Sequence, residues 1–161
     1  MEHGTAQTSL AVLTFGVGPF LLGTEASQVA RLVRPTFRGR DRIPVVDLRR
    51  RCGLEPPFGA AAARGHLLVV PGAAGEMAYL VDQVGEIITV SLARQMWPLP
   101  PLIERQKRWP QLWGVCEWRD ELVLLVDLAW EEAQGVRIQE SEESVGVESR
   151  PVDPRHLIPE P

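Results

Sequence analysis

Three short apolar runs, rich in β-branched residues, each end at a valine–aspartate pair, and they dictate what this chain can fold into. They are Ile43-Pro44-Val45-Val46-Asp47-Leu48, Tyr79-Leu80-Val81-Asp82-Gln83-Val84 and Leu122-Val123-Leu124-Leu125-Val126-Asp127-Leu128. Runs of this length, bounded by Gly, Pro and charged residues, read as strands buried on both faces. An aspartate at the end of such a strand accepts hydrogen bonds from backbone N–H groups and starts the next turn or helix. The aspartates stand 35 and then 45 residues apart, so the pattern is not a solenoid repeat.

The remaining apolar segments fit hairpins. Ser9 to Phe15 and Phe20 to Leu22 flank Gly16-Val17-Gly18-Pro19. Leu67 to Val70 and Met77 to Val81 flank a Pro- and Gly-bearing turn, and Val84 to Leu92 continues as strand. Leu112 to Glu117 and Leu122 to Leu128 meet across Trp118-Arg119-Asp120-Glu121. Trp97-Pro98-Leu99-Pro100-Pro101 reads as an extended linker, because its prolines exclude it from a central strand. Glu25 to Val33 is a short helix or a turn running into a strand, and Arg49 to Gly53 a helical turn. About nine strands and little helix make the chain all-β, built as a barrel. Residues 1–8 read as a frayed end and 135–161 as a disordered acidic, Pro-bearing tail, leaving 9–134 as the folded unit.

A chain of 161 residues with 45% apolar content can bury a core as one domain or two intimate subdomains. No run reaches the length of a membrane span, and Met1-Glu2-His3-Gly4-Thr5 lacks the start of a signal peptide, so a cytoplasmic location is expected. In that compartment Cys52 and Cys116 are expected as separate thiols. The net charge of −4 is unevenly spread. Eight of the seventeen basic residues lie between Arg31 and Arg51, and eight acidic residues follow from Glu131 onward. A basic front and an acidic rear either attract each other or face different partners.

Catalysis finds no home in this sequence. His3, His66 and His156 are scattered, and no Cys or His pair has metal-ligand spacing, so neither metal nor cofactor is expected. Asp47, Asp82 and Asp127 suffice as strand-end acceptors. Gly16-Val17-Gly18-Pro19-Phe20 joins two strands, with no helix N-terminus to receive a phosphate. A nucleic-acid-binding barrel is the rival from a different class. Its basic track and stacking aromatics should interleave, whereas here the arginines cluster at 31–51 and the five tryptophans at 97–130. Of those tryptophans, Trp97 and Trp109 sit beside prolines and are expected at an exposed apolar surface, the others mainly in the core.

In order along the chain, these segments resemble the CheW-like family of adaptors, which couple chemoreceptors to the histidine kinase CheA. Arg38-Gly39 with Ile43-Pro44-Val45-Val46-Asp47-Leu48-Arg49 is similar to the family's "LRG…PVIDLR" signature. Leu80-Val81-Asp82-Gln83-Val84 resembles "VVDxV". Leu112-Trp113-Gly114-Val115 and Asp120 to Leu128 resemble the closing "GxxxxxxxLxxLLDxxxLL". The resemblance spans about Ser9 to Glu132. It implies two small packed β-barrels of SH3-like or OB-like kind, with short helical turns. It also implies noncatalytic docking of a chemoreceptor's cytoplasmic tip at or near Leu68, Met77, Val84 and Ile87. Because strand side chains alternate faces, about half of these are equally expected to be core.

The departures from the family concern its kinase-facing region, here Val29, Arg31 and Arg38. Arg31 stands where the family has an acid in its "V-x-E-I" element. Only eight residues separate Val29 from Arg38, too few for a loop, a strand and a turn. One strand of the first barrel is therefore expected to be missing, and coupling to the CheA-type kinase to be weak or absent. The alternative within the class is an ordinary CheW coupling receptor to kinase. The sheet edge left open could pair with a second copy or another CheW-like protein.

Overall fold

A computed structural model describes residues 8–35, 43–55 and 64–129. The arginine-rich stretch holding Arg38, the end of the chain with Trp130, and the proposed tail lie outside the described residues.

Each of the three valine–aspartate runs contributes a strand. Ten strands are described, assembled into two sheets. β1 (Ser9–Val17) and β2 (Phe20–Glu25) form the first hairpin, turning at Gly18-Pro19. Gly18 has φ +56°, and a Cβ on it would lie 2.5 Å from Leu54 Cδ1, so a side chain there meets both strain and a clash. One turn of 3-10 helix (Ala26–Gln28) leads into β3 (Arg31–Val33). β4 (Val45–Asp47) passes directly into α1 (Leu48–Arg51), which stops at Gly53 with φ +73°. β5 (His66–Gly72) and β6 (Gly75–Val81) are a hairpin closed by Ala73-Ala74, followed by β7 (Gln83–Ser91). β8 (Met96–Pro98) pairs at an edge, as its proline requires. β9 (Leu112–Trp118) and β10 (Glu121–Val126) turn through Arg119 and Asp120, both at positive φ, as a two-residue hairpin with right-handed strand twist demands.

The expected linker holds one element the sequence reading lacked. α2 (Pro101–Gln106) follows β8, with a proline at its first turn where a missing N–H leaves no bond unmade.

The six-stranded sheet runs β7-β1-β2-β10-β9-β8 and the four-stranded sheet β3-β5-β6-β4. Pairing is antiparallel except at β2–β10 and β4–β6. The all-β reading therefore holds, with only short helical turns. Among the described residues the smaller sheet has one strand fewer than a five-stranded barrel would carry.

Two cores follow from the period-two alternation of side chains. The first lies between the sheets and holds Leu13, Phe15, Val17, Leu48, Leu68 and Tyr79. The second holds Val12 of β1, Ile88 and Val90 of β7, Cys116 of β9, and Val123 and Leu125 of β10. Strands near opposite ends of the six-stranded sheet share this second cluster, so the sheet curls around it. β1 and β10 thus separate two buried spaces, which is why Val123 to Val126 is apolar at every position, whereas Leu122 ahead of it is exposed.

Candidate docking surfaces

The strand-end aspartates build the frame. Asp47 accepts from Arg49 N at 2.9 Å and caps α1, and Asp127 accepts from Ala129 N at 3.0 Å and Gln28 Nε2 at 3.0 Å. Asp82 does more, accepting from Gly18 N at 2.6 Å and from the Arg49 guanidinium at 2.5 Å. That cluster ties α1 beside the small sheet to the β1–β2 turn of the large one. Asp82→Ala leaves Gly18 N and Arg49 without their acceptor. It is expected to lower stability by roughly 1–2 kcal/mol, the pair being partly open to water, as read from urea unfolding.

The four residues expected at the receptor surface divide by burial. Leu68 is 0% exposed, packed in the core between the sheets, and a partner cannot touch its side chain. It is corrected to a core residue: its β5 position pairs with Tyr79 on the inward row. Met77 and Val84 lean on the same core with part of their surface open. Ile87 is 65% exposed.

A bulge brings the outer members together. Val84 and Ile87 are three apart, so in a regular strand they would point to opposite faces. Here Phe15 pairs with Val84 and Leu13 with Ile87, so β7 carries one extra residue across that interval. Thr14 fixes the bulge, its hydroxyl donating to Glu86 O at 2.9 Å and accepting from Glu86 N at 3.0 Å. Gly85 is required there, because a Cβ would lie 2.3 Å from Thr14 Oγ1. Val84 and Ile87 consequently share the face of Leu13 and Phe15, which is the face toward the small sheet. Met77, on the row of Tyr79 and Val81, faces the same space from the other side. Met77 and Val84 border the inter-sheet core, and Ile87 stands exposed on Val84's side of β7, which makes these three the candidate apolar margin at the β7 edge.

The kinase-facing set is less uniform. Val29 packs partly into the first core. Arg31, exposed on edge strand β3, makes a two-pronged ion pair with Glu76, one contact being Nη2 to Oε2 at 2.8 Å. Arg31 hydrogen bonding holds the Glu76 carboxyl below its ordinary value, so the pair survives acidification until pH falls through that lowered value. The reversed charge is therefore balanced within the chain. Arg38 lies outside the described residues.

A cleft of about 610 Å³ opens over β2, β10 and β9, which β1 separates from β7 in the sheet. Leu22, Leu112, Leu124 and Trp109 give it an apolar floor. The placement of Trp109 corrects the expectation of an exposed ring: it is 8% exposed and closes the end of the first core, between α2 and β9. Trp97 is 43% exposed, as expected. Neither the cleft nor α2 was foreseen from sequence, although Pro100-Pro101 ahead of a Leu-Ile-Glu-Arg run is a helix-start signal.

Both cysteines are free. Burial pushes both thiols up, and nearby Asp47 pushes Cys52 further. Alkylation of the native protein is expected to be slow at Cys52, accelerating only above the ordinary thiol range, and absent at Cys116 until the protein unfolds. Mass spectrometry of labelled peptides across pH checks both.

Among the described residues no helix is long and apolar enough to cross a membrane, and no His, Cys, Asp and Glu group could hold a metal ion. The family model described as CheW-like domain matches residues 24–130. Among solved structures, the chain is similar to the scaffolding protein TtCheW from Thermoanaerobacter tengcongensis. The TM-score is 0.63 at 17% identity, covering 76% of this chain and 92% of that one, a likeness that speaks to the fold. No curated protein matches the sequence.

Proposed function

This chain belongs to the CheW-like domain family, and from that premise we propose that it is a noncatalytic adaptor of a bacterial chemosensory array. It binds the cytoplasmic tip of a chemoreceptor and couples weakly or not at all to a CheA-type kinase. The protein works in the cytoplasm and reaches the membrane only through the receptors it binds.

The observation that carries the receptor half is the margin formed by Met77, Val84 and Ile87. An exposed isoleucine on the same strand face as core-packed Val84, on a strand bulged to hold it there, offers area to a helical partner at little reorganisation cost. The kinase half rests on the four-stranded sheet and on Arg31, already engaged by Glu76. A partner needing that edge would first have to break the pair.

Purified receptor cytoplasmic domain and kinase regulatory domain, each titrated against the chain, test the proposal. Receptor binding with kinase affinity at least tenfold weaker is expected. Tight kinase binding without receptor binding would reverse the assignment. Kinase activation in a reconstituted array would make this an ordinary coupling protein.

A further inference from the structure

The cleft over β2, β10 and β9 has no part in that reading, and it sets cations at both ends of an apolar floor. Along the floor Leu22 is level with Leu124, and Leu112 with Val126. Phe20 and Leu112 therefore stand four residues of strand apart, about 13 Å at ~3.3 Å per residue. At the Phe20 end lies α1, whose Arg49 and the following Leu54 sit against the Gly18 turn, and Arg50 and Arg51 line the cleft from there. Lys107 and Arg108 line it at the Leu112 end, where Lys107 Nζ donates to Leu112 O at 2.8 Å. No carboxylate is in the lining. Among the described residues Arg50 and Arg108 enter no ion pair.

We propose that this cleft docks an acidic amphipathic segment of another protein, a short apolar stretch with carboxylates at both ends. Charge complementarity selects that occupant over three others. A fatty-acid anion has one charged end and would leave the cations at the far end without a counter-charge. A planar anionic bilayer meets a rim, not the floor of a cleft. Single-stranded nucleic acid needs open aromatic faces between its phosphate contacts. The tryptophan of the lining, Trp109, is 8% exposed and offers none.

A polypeptide supplies both kinds of group. Its apolar side chains cover the exposed parts of Phe20 and Ile103, and its carboxylates accept from arginine forks at either end. The cleft shares no residue with the Met77–Val84–Ile87 margin, and the proposal stands whether or not a receptor binds there.

A phage-displayed library of random dodecapeptides, panned on the whole chain at low salt, tests this without presupposing a partner. The expected winners carry carboxylates on both sides of an apolar stretch. As synthetic peptides they should bind at least tenfold more weakly to the Arg50→Glu, Arg108→Glu double variant. Salt at 0.5 M should weaken them similarly on the unaltered protein, and Ile87→Glu should leave them unaffected. Lys107 is the sole lysine in the chain, so the site can be read without any substitution. Zero-length carbodiimide coupling should join it to a peptide carboxylate, with Glu104, paired with it at 2.6 Å, as internal reference. Should the double variant fail to fold, the coupling and the salt dependence decide alone. No enrichment, or enrichment of basic or uncharged peptides, overturns the proposal. So does coupling to Glu104 alone at saturating peptide. Binding lost in Ile87→Glu but kept in the double variant would move the peptide to the β7 margin, and also overturns it. In the protein without peptide, coupling of Lys107 to another carboxylate of the chain or of a second copy would give the cleft to that occupant instead.

Discussion

Replacing Ile87 with glutamate is expected to weaken binding of a receptor cytoplasmic domain about thirtyfold or more, with the circular dichroism spectrum and unfolding midpoint almost unchanged. An exposed apolar anchor at an interface centre contributes roughly 2 kcal/mol or more when removed, and a buried carboxylate adds its own desolvation penalty. Because Ile87 is 65% exposed in the free chain, the folded monomer loses almost nothing. Its neighbours are worse probes. Val84→Glu would drive a charge against the first core, so lost binding there would be confounded with lost structure. Leu68→Ala should cost about 2–5 kcal/mol of stability and affect binding only through the fold. Unchanged receptor affinity in Ile87→Glu would remove the β7 margin from the function.

The same residues show what the sequence could and could not reveal. The strands were legible because apolar run length and turn chemistry are local properties. Val45-Val46-Asp47 and Leu122 to Val126 stand where the runs predicted, and Arg119-Asp120 turns where a hairpin was needed. Asp47, Asp82 and Asp127 proved to be backbone acceptors, since an aspartate at a strand end always has N–H groups within reach. Face assignment was less accessible. Nothing local in Val84-Gly85-Glu86-Ile87 announces that Thr14, far away in sequence, holds a bulge that turns two residues to one side. Nor does a proline beside Trp109 reveal that the ring closes a core between elements that meet only after folding. Burial at such positions is a property of the two sheets together, and a cleft bounded by α1, α2 and three strands has no signature in any single segment.

Phe15→Ala is expected to destabilise the chain by about 3–5 kcal/mol, as removal of a fully buried phenylalanine does when the cavity cannot collapse. The manner of unfolding is the more informative part. Phe15 belongs to the core between the sheets, but its strand also supplies Val12 to the second core, and Thr14 between them holds the β7 bulge. If the six-stranded sheet serves as the common wall of both cores, loss of packing on one face must loosen the other. Urea unfolding of the variant should then remain a single transition at a lower midpoint, superimposable by far-ultraviolet circular dichroism and by tryptophan fluorescence. Fluorescence can sense both cores, because Trp109 lies in the first and Trp118 packs against the second. A biphasic transition would mean that the second core stands without the first. The four-stranded sheet would then be a separable attachment, and the Met77–Val84–Ile87 margin, which needs both sheets, would disappear at the first step.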